Sequence, residues 1–135
     1  MKPHLLSVSE SPGAFAELFA AAKEAKLRIG WLEFAPPAPL PSSLEEAASL
    51  GALRAVAVGD RWSVAIKRLS GESVREDLLR EHFRGCALVL VRGGSDVPDL
   101  TAFEKGWRVR MPSGAAIDLE TTALLARLRR PRPWE

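Results

Sequence analysis

The chain has 135 residues, enough for one domain whose core needs neither a metal nor a disulfide. Its 47% hydrophobic and 27% charged residues exclude a disordered segment, and no apolar run approaches the ~18–20 residues of a membrane-spanning helix. A net charge of +2 is too small to indicate nucleic acid, although residues 61–135 carry 14 basic and 10 acidic side chains against 5 and 7 before them.

His4-Leu5-Leu6-Ser7-Val8 is a short apolar run that predicts a buried strand. Ser9-Glu10-Ser11-Pro12-Gly13 follows, and a serine ahead of proline opens helices because proline's missing N–H costs nothing in the first turn. Phe15, Leu18, Phe19, Ala22 and Ala25 then recur at helical spacing, predicting an amphipathic helix that ends near Lys26. Leu27 to Phe34 predicts a second strand, and the strand–helix–strand order implies a βαβ unit with parallel strands. The proline-rich run from Ala35 to Pro41 is a stiff loop, and Ser42-Ser43-Leu44-Glu45-Glu46 reads as a capping box opening a helix that stops near Gly51.

Residues 55–69 alternate on both sides of Gly59-Asp60-Arg61, which predicts a β-hairpin; the alternative is one strand followed by a helix from 60. A helix is expected over 73–84, stopped by Gly85. Cys86-Ala87-Leu88-Val89-Leu90-Val91 has the unbroken apolar character of a central strand buried on both faces. A less regular stretch follows, then strands at 107–111 and 115–118 pairing around Pro112-Ser113-Gly114, and a basic helix and tail over 119–135. The expected fold is a single α/β domain over 1–135: a three-layer, Rossmann-like, mostly parallel sheet with helices on both faces and an added hairpin near 55–69. The lone Cys86 reads as a small core residue, and the opening Met1 to Leu6 lacks a signal peptide's apolar region, so cytoplasm is the expected address.

The order of strand, Ser-x-Ser-Pro turn, Ala-rich helix and strand ending in Ala-Pro-Pro resembles the universal stress protein family, of the adenine-nucleotide α-hydrolase-like α/β group. The likeness covers residues 4–94, with His4 to Pro12 similar to the family's opening strand and turn and Lys26 to Pro37 to its second strand. It implies a nucleotide site. In nucleotide-binding members a glycine, two residues, a second glycine, about nine residues and a Gly-Ser or Gly-Thr bring backbone N–H groups onto the phosphates. Here Gly93 or Gly94 stands for the first glycine, the second falls on Asp96 or Val97, and no Gly-Ser/Thr follows. Ser9 stands where the family commonly has Asp.

Ligands of open parallel sheets bind beyond the carboxyl ends of the strands. That rule selects Ser9, Ser11, Arg92, Gly93, Gly94, Ser95 and Asp96, whose small, polar and positive groups suit a nucleotide or another small anion. The plainer account is that Ser11 caps a helix and the glycines make a turn. The chain has no Asn, Gln or Tyr, and 14 Arg to 5 Lys, so polar recognition must rest on backbone, hydroxyls, carboxylates, His and Arg. His82 reads as a solvated surface residue, His4 lies at the opposite pole, and Asp60 and Asp118 read as turn or capping residues. Two scattered histidines and one cysteine have no zinc-ligand spacing.

The reading is a non-catalytic α/β binding or regulatory domain, forming a homodimer, with no cofactor demanded by a motif. The enzymatic alternative is a small hydrolase or transferase using Ser9 or Ser11 with Asp96. A third reading is a nucleic-acid accessory protein acting through the Arg-rich tail Arg127 to Glu135, whose arginines suit phosphates and whose Trp134 suits a base. The same tail also suits packing of Trp134 on its own domain or a second subunit.

Overall fold

The computed structural model describes residues 2–34, 42–52, 54–67, 74–93 and 96–135, which fall into two compact units, residues 1–35 with 78–135 and residues 36–77. In the larger unit β1 (His4–Val8), β2 (Ile29–Glu33) and β5 (Leu88–Arg92) run parallel. β5 carries the most apolar run, and its Leu88, Val89, Leu90 and Val91 are all fully buried. It takes the inner position between β1 and β2, with His4 level with Leu88 and Ile29 level with the same residue. The two strands of the expected βαβ unit are therefore parallel but not adjacent.

On the other side of β1 lie β6 (Asp99–Phe103), β7 (Gly106–Arg110) and β8 (Ala116–Leu119), giving the order β2-β5-β1-β6-β7-β8. β6 is parallel to β1, and β7 and β8 complete the edge as antiparallel strands. The pairing around Pro112-Ser113-Gly114 forms as expected. The strand at β6 corrects the irregular reading of that stretch. Only Leu100 of its five residues is buried, so it has almost no apolar signature and owes its conformation to pairing with β7 and β1.

Leu6, Leu88 and Leu90 face one side of the sheet with Leu18 and Ala22 of α1 (Ala16–Glu24) and Leu124, Leu125 and Leu128 in and after α4 (Thr121–Arg127). Val89 and Val91 face the other side with Leu79 of α3 (Val74–His82) and Leu32. This alternation makes the three layers. Phe15 is the keystone of the first layer, stacked on Trp107 at 5.7 Å and tilted against Trp31 at 6.1 Å.

A 3-10 turn (Pro12–Phe15) leads into α1, and Ala14 N–H donates to the Ser11 carbonyl at 3.1 Å. The Ser11 hydroxyl makes no capping bond, so the expected cap is supplied by backbone alone. The helix ends in a Schellman motif in which Leu27 N–H reaches Ala22 O and Lys26 N–H reaches Lys23 O. Lys26 occupies the left-handed position of that motif, with φ +58°.

In the smaller unit α2 (Ser42–Ser49) precedes β3 (Arg54–Val58) and β4 (Ser63–Lys67), an antiparallel hairpin in which Val58 pairs with Ser63. Gly59 N–H donates to Trp62 O across the turn. The hairpin reading of this stretch holds over 54–67, and 68 and 69 lie outside the described residues.

Candidate functional site

Register sets the geometry of the carboxyl-end pole. Val8, Arg92 and Glu33 are level on three neighbouring strands, so Ser9, Gly93 and Phe34 leave the sheet side by side. β6 is offset, because its first residue, Asp99, is already level with Ser7. Its last residue, Phe103, therefore stands about 10 Å beyond the level of Val8, at ~3.3 Å per residue. That offset also explains how so short a connection joins two parallel strands. β6 starts where β1 ends, and Ser7 N–H donates to Pro98 O at 2.7 Å.

Of the residues selected from sequence, Ser9, Arg92 and Gly93 are brought to adjacent strand ends, and Ser11 is exposed at the head of the 3-10 turn. Asp96 is exposed in the crossing segment two residues before Pro98. Gly94, Ser95 and the proline-rich run 35–41 lie outside the described residues. Gly93 needs its glycine. Its φ is +93°, and a Cβ there would lie 3.2 Å from Phe34 Cβ.

Sequence reasoning missed Arg92's neighbour. Glu33 and Arg92 share a register position and a face, and Arg92 Nη1 lies 3.5 Å from Glu33 Oε1. Trp31 Nε1–H donates to the same oxygen at 3.1 Å, leaving Oε2 of Glu33 outside both contacts. The ion pair is single and long, and Arg92's side chain is 35% exposed, so it contributes little stability and exchanges readily with a competing anion. The two-residue spacing of Trp31 and Glu33 along β2 contained part of this signal, but only the register places Arg92 opposite.

The overhang of β6 and β7 creates a second feature that sequence did not show. A cleft of about 480 Å³ opens between the start of α1, the β6–β7 turn and the start of α4. Glu17, Glu104 and Glu120 line it with, among the described residues, a single cation, Lys105, giving it acidic walls. On its floor Trp107 Nε1–H donates to Thr121 Oγ1 at 2.9 Å, and that hydroxyl donates to Glu17 Oε1 at 3.3 Å. Gly106 closes the turn at φ +151°, where any Cβ would run into the Leu119 carbonyl.

Asp118 corrects its reading as a turn or capping residue. It lies in β8 opposite Arg108, which binds it with Nε–Oδ1 at 2.7 Å and Nη2–Oδ2 at 3.0 Å. The hydrogen bond from Arg108 holds its carboxyl below the ordinary aspartate value, so it stays ionised. His82 is exposed and 3.9 Å from Glu81. Among the described residues no three His, Cys, Asp or Glu side chains cluster to hold a metal, and no helix is long and apolar enough to cross a membrane.

In the basic tail, Arg127 Nη1 donates to Pro133 O at 3.2 Å, Pro133 is buried and Trp134 packs against the main core. The tryptophan is thus folded onto its own domain.

No family model and no curated protein matches the chain. A search of solved structures finds the crystal structure of Bacillus subtilis MobB, 16% identical, with a TM-score of 0.45. The match covers 71% of this chain, which spans 64% of that protein.

Proposed function

We propose that this protein is a non-catalytic α/β binding domain that holds a nucleotide or another small anion at the carboxyl ends of β1, β5 and β2. The observation that carries the reading is the register. It aligns Ser9, Arg92 and Gly93 on adjacent strands, at the pole where open parallel sheets bind their ligands. Two further features support it. The Ser11 hydroxyl is not spent on a helix cap, and among the described residues Arg92's side chain is tied by one long contact, to Glu33. In this reading the ligand's anionic group displaces Glu33 from Arg92, and Glu33 keeps its bond from Trp31. The likeness to universal stress proteins over residues 4–94 is part of the same proposal.

The test is calorimetric titration of the full chain with ATP, ADP and AMP, repeated on Arg92→Ala. Binding of one of them, weakened about tenfold or more by the substitution, is expected, since a charge-assisted bond is worth ~1.5–3 kcal/mol. No heat and no melting shift with any nucleotide at millimolar concentration would sink the nucleotide form of the reading. The enzymatic alternative makes a separate demand, that Ser9→Ala or Ser11→Ala abolish a measurable hydrolysis or transfer.

A further inference from the structure

The opposite pole of the sheet carries a basic cleft that no part of the preceding reading uses. It measures about 430 Å³ and is built from four chain segments. The first brings Lys2 and His4 at the start of β1. The second brings Lys26 and Arg28, positioned where the Schellman motif turns α1 back into β2. The third is the turn from Gly85 to Ala87, and the fourth is the end of α4 with Leu128 and Arg129.

Backbone and side-chain bonds knit these segments together. His4 N–H donates to Ala87 O at 3.0 Å, and Ala87 N–H to Arg28 O at 2.9 Å. His4 Nε2 lies 3.1 Å from the Leu128 carbonyl and donates to it, tying the first strand to the last helix. Gly85 has φ +81°, and a Cβ on it would stand 3.6 Å from Arg28 Nη1, so the guanidinium lies along this turn.

The electrostatics of the cleft are one-sided. Lys2, Lys26, Arg28 and Arg129 line it, and among the described residues no carboxylate does. The helices run against the parallel strands, so α1, α3 and α4 all end at this pole, and basic residues complement their negative ends. Each helix end is worth about half a negative charge, so three supply about −1.5 against Lys26, Arg28 and Arg129. Complementing the helix ends therefore leaves about one and a half positive charges around one concavity, before Lys2 is counted. Leu27, Ala87, Leu128 and Cys86 give the same cleft an apolar side. Its volume is in the range of small-molecule sites.

We propose that this cleft is a second binding site, for a small phosphorylated ligand whose phosphates meet Arg28, Arg129 and Lys26 and whose apolar part lies against Leu27 and Leu128. Arginine suits phosphate because its planar fork donates two parallel hydrogen bonds. The site is independent of the one at the carboxyl ends of the strands, and each can fail without the other.

Cys86, the single cysteine, lines the cleft and serves as its reporter. The experiment measures alkylation of Cys86 by iodoacetamide in the full chain, with and without inorganic pyrophosphate, at constant ionic strength. At about ten times the dissociation constant, mass action slows the reaction about tenfold. Arg28→Ala with Arg129→Ala abolishes the protection, and Arg92→Ala leaves it intact. Arg129→Ala alone, at an exposed position, weakens it and guards against a fold defect in the pair, which is checked by circular dichroism. The proposal is overturned if pyrophosphate gives no protection, if the paired substitution leaves protection unchanged, or if Arg92→Ala removes it. It is also overturned if a single-stranded oligonucleotide protects Cys86 and pyrophosphate does not.

Discussion

Phe15 provides the most direct test of how the 3-10 turn, the sheet and the site are held together. Its side chain is fully buried between Trp107 and Trp31, so truncation to alanine uncovers one face of each indole. A buried phenylalanine removes roughly 150–200 Å² of apolar surface from water. At ~25 cal/mol per Å² that is about 4–5 kcal/mol, an upper bound because the unfolded chain already hides some of it. Measured Phe→Ala losses of ~3–5 kcal/mol agree in size. A typical domain is stable by only ~5–15 kcal/mol, so Phe15→Ala stays folded but loses a large share of its stability. With a urea slope of about 2 kcal/mol/M, the midpoint followed by far-UV circular dichroism falls by about 2 M. Phe15→Leu, which keeps most of the volume, costs about 1–1.5 kcal/mol. A midpoint shift under about 0.5 M for Phe15→Ala would show that the ring is not the keystone its contacts indicate.

Three further outcomes are expected. Lys26→Gly stabilises the protein by about 0.5–1 kcal/mol in urea unfolding, because φ +58° strains a lysine and suits a glycine. Gly106→Ala costs about 2 kcal/mol or more through its left-handed φ and the Leu119 carbonyl, whereas Gly13→Ala, with open space around it, is neutral or slightly stabilising. The Arg108–Asp118 pair makes stability sensitive to acid. The folded carboxyl titrates below its unfolded value, so the contribution is complete above the ordinary aspartate value of about 3.9 and is lost as pH falls below it. Acid unfolding of Arg108→Ala, compared with the parent over that range, lacks this component.

Elements with a strong local pattern were legible in the sequence. β5 announced itself by an unbroken apolar run, α1 by its helical spacing after Ser11-Pro12, and the hairpin by alternation on both sides of Gly59-Asp60-Arg61. The choice of the carboxyl-end pole, with Ser9, Arg92 and Gly93, also followed from sequence once the parallel order was inferred. β6 was not legible, because a strand that buries only Leu100 takes its conformation from its neighbours. Asp118 was misread for a related reason, since its partner Arg108 lies across a strand pair.

The chain order and residue types by themselves determined an α/β body, its strongest strands and the pole where small and charged residues gather. Only the tertiary structure decided that β5 separates β1 from β2, that Glu33 meets Arg92, and that four cations from three distant segments line one cleft at the other pole. Local patterns are written in the spacing of neighbouring residues. Register, strand insertion and the meeting of segments as far apart as His4 and Leu128 depend on packing, which no short stretch of sequence contains.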